Sequence, residues 1–182
     1  MVTRKELDTL LEAANWAPTH QKTEPWRYTV FSGSEAIITY LDYIEDYYTA
    51  NADTLDEAEM RKFRNKMSGA RNTWVTNSSA VIVIGMKRHP DKLPEWEEVS
   101  AVAMSVQNMH LAAEAMGIGG FWSSHTWCKR ARDSEQYRRW VGLEGQEDRA
   151  FGAFVIGKVD PETRAKVRSA REPIADKVKF MD

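Results

Sequence analysis

Three stretches of this 182-residue chain crowd polar and aromatic side chains against residues that free or fix the backbone. The first is NWAPTHQKTEPWR, residues Asn15 to Arg27, with His20, Lys22, Thr23, Glu24, Trp26 and Arg27 around two prolines. A turn needs one proline or glycine, so the surplus of donors and acceptors suits gripping the edge of a ligand. The second is GIGGFWSSH, where glycines permit close backbone approach, Trp122 offers a flat face, and Ser123 and Ser124 offer donors. The third is a basic tail carrying Arg164, Lys166, Arg168, Arg171, Lys177 and Lys179. A flat heteroaromatic with a phosphate tail uses all three: donors along a ring edge, an apolar wall, and cations for the phosphate. Flavin mononucleotide (FMN) is one such molecule, and spacing alone does not choose it over others.

Other chemistries lack support. Gly117-Ile118-Gly119-Gly120 follows a helical pattern and lacks G-x-G-x-x-G spacing, so it is no Rossmann fingerprint. No Walker A or H-E-x-x-H sequence occurs, and His20, His89, His110 and His125 show no metal-ligand spacing. Ser123 and Ser124 are not in a G-x-S-x-G elbow, and Cys128 has no local sign of activation. A net charge of −2 leaves no electrostatic footprint for nucleic acid or an anionic membrane. No apolar run approaches the roughly 20 residues of a membrane span, and MVTRKELDTLL lacks a secretory core. The sole cysteine excludes an internal disulfide and fits a reducing compartment, so a cytoplasmic location is expected.

The elements that must position these stretches follow from pattern. Thr3 and Glu6 form a capping box ahead of Leu7, Leu10, Leu11 and Ala14 at helical spacing, with Pro18 as the stop. Trp26 to Phe31 alternates as a strand, and Ile37, Tyr40, Leu41, Ile44 and Tyr48 mark a second helix. Thr54 and Glu57 are expected to cap a polar helix to about Arg71, peripheral and lid-like because its large apolar residues are few. SAVIVIGM reads as a strand buried on both faces. Val99 to Ala113 marks a long helix ending at Gly117, after which GIGGFWSSH reads as a loop. A short helix around Gln136 to Trp140 and a strand, AFGAFVIGKV, complete the core. Glu95, Glu97 and Glu98 read as a solvated run, and His110 as a core histidine. Residues 1–182 are expected to form a single domain with about four strands, and 160–182 an extended basic tail.

The order and wording of these stretches resembles the FMN-dependent nitroreductase family. AANWAPTHQKTEPWRYTVF is similar to its A-x-x-A-P-(S/D)-x-x-(N/S)-x-Q-P-W-(R/H)-F segment, and EWEEVSAVAMSVQNMHLAAEAMGIGGFWSS to its long core helix and glycine loop. The ending GKVDP…RSAREPIADKVKF is similar to its last strand and arginine-bearing tail. The likeness runs from about residue 5 to 180. It implies an α+β, three-layer fold with a mainly antiparallel sheet of about four strands, forming a homodimer with FMN at the interface. It implies flavin contacts at His20 and Glu24, a second wall at Trp122, Ser123 and Ser124, and a phosphate contact at Arg171. More distantly it implies a nicotinamide nucleotide near Ala112, Ala113, Glu114, Ala115, Met116 and Gly117. NAD(P)H would be the reductant, nitroaromatics or quinones the acceptors, and the flavin would carry the chemistry without a catalytic side chain. His125 and Trp127 are expected to line the substrate side.

Two departures from the family pattern stand out. The chain begins at MVTRKEL, where the family has an R-R-S segment that grips the phosphate. Glu24 stands where many members carry glutamine, and an ionised carboxylate only accepts hydrogen bonds. A dimer that binds FMN without turnover, one that has lost the cofactor, and a reductive dehalogenase of the same family are the alternatives.

Overall fold

The computed structural model describes residues 1–167 and 169–181, so Arg168 of the basic tail lies outside the described residues. Helix α1 (Arg4–Asn15) starts at the expected capping box: Thr3 N–H donates to Glu6 Oε2 at 2.8 Å, and Glu6 N–H donates back to Thr3 Oγ1 at 3.3 Å. Strand β1 (Trp26–Ser32) leads into α2 (Ser34–Ala50), whose Ile37, Tyr40, Leu41, Ile44 and Tyr48 are buried as their spacing predicts. The next helix, α3 (Glu57–Asn77), differs from expectation at both ends. Its cap is Asp56, which accepts from Glu59 N–H at 2.7 Å, because Thr54 is still turning at the end of the preceding segment. It also runs past Arg71 to present Trp74, and it is no peripheral lid: Phe63, Met67, Ala70 and Trp74 are buried against α2 and the sheet.

Strand β2 (Ala80–Met86) is buried at every residue, as a continuous apolar run demands. Helix α4 (Glu95–Ala115) follows, then β3 (Ile118–Ser123), α5 (Lys129–Asp133), α6 (Glu135–Trp140) and β4 (Arg149–Lys158). IGGFWS is thus an edge strand, not a loop. Its glycines lower strand propensity, but pairing with β4 from Ile118↔Lys158 to Ser123↔Ala153 overrides that. In the tail, α7 (Pro161–Lys166) is capped by Asp160, which accepts from Thr163 N–H at 2.8 Å, with proline at its first turn.

The four strands form one antiparallel sheet in the order β1-β2-β4-β3. Side chains of β2 alternate between faces. Ile82 and Ile84 join Leu7, Leu10, Val106 and Met109 under α1 and α4, while Val81 and Val83 join Ile37, Leu41, Phe63 and Met67 under α2 and α3. The arrangement is the expected α+β layering, helices on both faces of an antiparallel sheet. Among the described residues no helix is long and apolar enough to cross a membrane.

Candidate functional site

Strand register decides which candidates share a neighbourhood. Trp26 pairs with Met86, Met86 with Arg149, and Ser123 with Ala153. The start of β1, the end of β2, the start of β4 and the end of β3 therefore lie at one end of the sheet. His20 and Glu24 precede β1, and Trp122, Ser123 and Ser124 finish β3, so both groups belong to that end. They stand at its opposite edges, however. Three strand spacings of roughly 4.8 Å put about 14 Å between the edges.

On the β1 edge the loop is built with unusual backbone. Gln21, Lys22 and Glu24 all have left-handed φ, from 43° to 52°, and such conformations cost a non-glycine residue about 1 kcal/mol or more each. Thr19 Oγ1 accepts from Glu24 N–H at 3.1 Å, and Thr23 N–H reaches His20 C=O at 3.3 Å. Arg27 Nη1 ties to the carbonyls of Glu24 and Trp26 at 2.9 and 2.7 Å. His20 Nδ1 lies 2.6 Å from Glu97 Oε2 on α4, which orients the ring. Trp26 is core, buried, with its indole N–H donating to Asn15 Oδ1 at 3.1 Å.

On the β3 edge Trp122 is half exposed, its indole N–H held by Phe151 C=O at 2.9 Å, so the ring is fixed with a face open. A cavity of about 540 Å³ opens beside Trp122 and Ser124, walled by Arg132, Arg138 and Arg149 together with Phe151. Nothing in composition or periodicity singles out these arginines. They are scattered over α5, α6 and β4, and only the fold collects them. Gly152 is the one local signal that was available, since a glycine inside a strand marks a close backbone approach.

The other expectations land elsewhere. Ala112 to Gly117 occupy the C-terminal end of α4, at the opposite end of the sheet, since Ile118 pairs with Lys158. There Ala113 is fully buried and Arg164 Nη2 donates to Glu114 C=O at 2.8 Å. A second cavity, about 610 Å³, lies at this end between Trp74, Phe121, His110, Glu114 and Arg164. His110 is half-buried on its wall, edge-on to Phe154 with ring centroids 5.2 Å apart, and so is not a core histidine. Arg171 is exposed, and its Nη1 donates to Ala170 C=O at 2.8 Å.

His125 does not line a substrate cleft. It is buried with left-handed φ, stacked on Trp74, its Nδ1 3.0 Å from Tyr40 Oη, which in turn meets Tyr137 Oη at 2.9 Å. Its Nε2 has no partner among the described residues, and burial together with the nearby Arg132 charge pulls its pKa down to about 3. Burial likewise pushes the Cys128 thiol up, which fits an inert core thiol. Glu98 is not solvated either: it is fully buried, paired with Arg88 and with His89 Nδ1 at 2.7 Å.

The Nitroreductase family model matches residues 1–158. The Escherichia coli (strain K12) protein named "Putative NAD(P)H nitroreductase YdjA" is 26% identical over 157 residues, covering 85% of this chain and 76% of its own length. The crystal structure of the nitroreductase-like family protein from Bacillus cereus superposes with a TM-score of 0.74 at 27% identity, over 100% of this chain and 86% of that one. The FMN and NADPH-dependent nitroreductase NfnB from Sphigopyxis sp. strain HMH shares the fold, with a TM-score of 0.70 at 16% identity over 100% and 91% of the two chains. The family model spans most of the chain, and the chain belongs to the nitroreductase family.

Proposed function

We propose that the chain is an FMN-dependent oxidoreductase that takes hydride from NAD(P)H and delivers it to a nitroaromatic or quinone acceptor, as a homodimer with sites shared between subunits. The observation that carries this reading is the split of the candidate residues between the two edges of one sheet end, about 14 Å apart. One edge supplies an acceptor and an imidazole, the other an aromatic wall and hydroxyls. In kind these fit the two sides of a flavin ring, and in placement they fit as half-sites that a second copy completes.

Exposed apolar surface supports the dimer. Trp96, Val99, Met104 and Leu111 are exposed along one side of α4, and Ile174, Phe180 and Met181 are exposed in the tail. Residues 1–182 then act as one nitroreductase-like domain. Its tail is exposed, which would let Arg171 serve a phosphate in the neighbouring half-site.

The bound flavin supplies the hydride chemistry, so the protein's task is to hold, shield and tune. The Glu97 contact fixes the His20 ring, which would meet the ligand edge. The Glu24 carboxylate would accept an N–H from the ring. Trp122 would exclude water from one face, Ser123 and Ser124 would donate to ring carbonyls, and Arg171 would neutralise phosphate charge. Cys128, the sole cysteine and buried as a free thiol, suits the reducing cytoplasm where we place the reaction.

The deciding experiment is an absorbance spectrum of the purified protein after FMN addition and dialysis, followed by NAD(P)H oxidation with a nitroaromatic and a quinone. Retained flavin at about one per chain, with acceptor-dependent turnover, is the expected result. A protein that stays colourless, or that holds flavin but oxidises no NAD(P)H with either acceptor, defeats the proposal.

A further inference from the structure

The cavity beside Trp122 has a charge balance that hydride transfer alone does not require. Its wall carries three guanidinium groups and one carboxylate, Asp133. Arg132 is paired: Nε lies 2.7 Å from Asp133 Oδ1, and Nη1 donates to Ser124 C=O at 2.5 Å. Arg149 is weakly paired, with Nε 3.5 Å from Glu95 Oε1, and Nη1 donates to Asp148 C=O at 3.3 Å. Arg138 meets no carboxylate among the described residues. Among the described residues its side chain donates from Nη1 to the same Asp148 carbonyl at 3.2 Å. Each guanidinium has more N–H donors than these contacts use, and the spare donors front a space large enough for a small ligand.

Geometry adds selectivity to charge. Asp148 is buried, with Oδ1 accepting from Arg88 N–H at 3.0 Å and Oδ2 from Gly145 N–H at 2.9 Å, so the carbonyl that gathers Arg138 and Arg149 is held in place. Arg132 is tied to Ser124, next to the residues that finish β3. Trp122 stands on the same wall with its ring fixed. Cations gathered on the wall of a cavity that begins beside the flavin's proposed place match an oxyanion carried by a ligand entering next to it.

We infer that Arg138, with Arg132 and Arg149, forms a specificity site for an oxyanion carried by the second substrate of the reaction. The inference rests on the oxidoreductase reading above and gives it a substrate class. Two sources supply such a group: the extra phosphate that separates NADPH from NADH, or the carboxylate of an acidic aromatic acceptor. In either case the oxyanion replaces solvent at the spare guanidinium donors, and no bond is made or broken there.

Arg138→Gln is the informative variant, because removing an arginine with no ion-pair partner leaves no carboxylate stranded. Pyrophosphate is titrated calorimetrically into the full chain and into the variant at low salt, without any turnover. Binding by the wild type that weakens about tenfold or more in the variant supports the site. Absence of binding at millimolar pyrophosphate, or equal binding by a variant with an unchanged melting temperature, overturns it. This readout is independent of flavin, so failure of the oxidoreductase reading would be seen separately.

Steady-state kinetics then assigns the source. If the NADPH-to-NADH ratio of kcat/KM falls about tenfold in Arg138→Gln, the reductant's phosphate is the ligand. If the ratio for 4-nitrobenzoate over nitrobenzene falls instead, the acceptor's carboxylate is. If both ratios are unchanged, the arginines serve neither substrate's oxyanion and the inference is wrong.

Discussion

Gly152 stands directly against the backbone of Ser123. Its φ is +98°, and a Cβ built there would run into the Ser123 carbonyl oxygen and lie 2.8 Å from the Ser124 carbonyl carbon. The adjacent Phe151 carbonyl accepts the Trp122 indole N–H. One bare Cα and its neighbour therefore set the path of Trp122, Ser123 and Ser124, the whole β3 half of the candidate site.

Gly152→Ala is accordingly expected to cost about 2 kcal/mol of stability and to weaken FMN binding as the Ser123–Ser124 backbone is pushed away. Gly142→Ala is the control. That glycine also has positive φ, +81°, but nothing lies within 4 Å of its added Cβ, so only strain of about 1 kcal/mol is expected and flavin binding stays as it was. Urea unfolding and a flavin titration on both variants check this. Equal effects of the two on flavin affinity would refute the positional argument.

Some of this was legible in the chain and some was not, for reasons that differ by residue. Strand β2 announces itself because every residue of AVIVIGM is buried, so one apolar run carries the whole signal. Strand β3 hides because Gly119 and Gly120 look like a loop. Their bareness is a packing requirement, a Cβ on Gly120 meeting Ile156 at 2.8 Å and Phe154 at 2.9 Å. Glu98 looks like part of a solvated EWEE run because its partners, Arg88 and His89, arrive from the loop after β2, where only tertiary structure brings them. The same holds for the arginine cavity. His20 and Trp122 to Ser124 were legible through wording shared with a family, and spacing alone did not reveal that they stand on opposite edges of one sheet.

Phe63 tests the anchoring of α3. Its ring stacks on Tyr48 with centroids 3.8 Å apart and planes 1° from parallel, and it is almost wholly buried. Phe63→Ala is expected to cost about 3 kcal/mol through lost burial and the cavity left behind. Amide exchange in wild-type α3 near residue 63 should match the protected core. Fast exchange there, with a small cost for the variant, would restore the lid reading.

His125 makes stability depend on pH. Its native pKa is pulled down to about 3, while an unfolded histidine has the ordinary value of 6.5. Between those values the unfolded chain binds a proton that the native chain does not. Stability therefore rises with pH across this window and is lost as the pH falls from 6.5 toward 3, by up to about 1.4 kcal/mol per pH unit. Above 6.5 the residue contributes no slope. His125→Asn suits the left-handed backbone and removes the titrating ring. The difference between wild type and variant, measured by urea unfolding at several pH values, should be flat above 6.5 and sloped below it. A flat difference throughout would show that the native ring accepts its proton normally.

Leu111 separates the dimer from the chemistry. It is exposed on the outer side of α4 with Trp96, Val99 and Met104. A carboxylate placed there meets water in a monomer at little cost, but would be desolvated without a partner inside an apolar interface. Leu111→Asp should therefore leave the melting of the monomer nearly unchanged while shifting sedimentation from dimer to monomer. If each flavin site takes one edge from each chain, the same variant should also lose retained FMN, although residue 111 lies on neither edge loop. A monomer that keeps its flavin would mean that one chain holds the cofactor alone, and a variant that stays dimeric would move the interface off this face of α4.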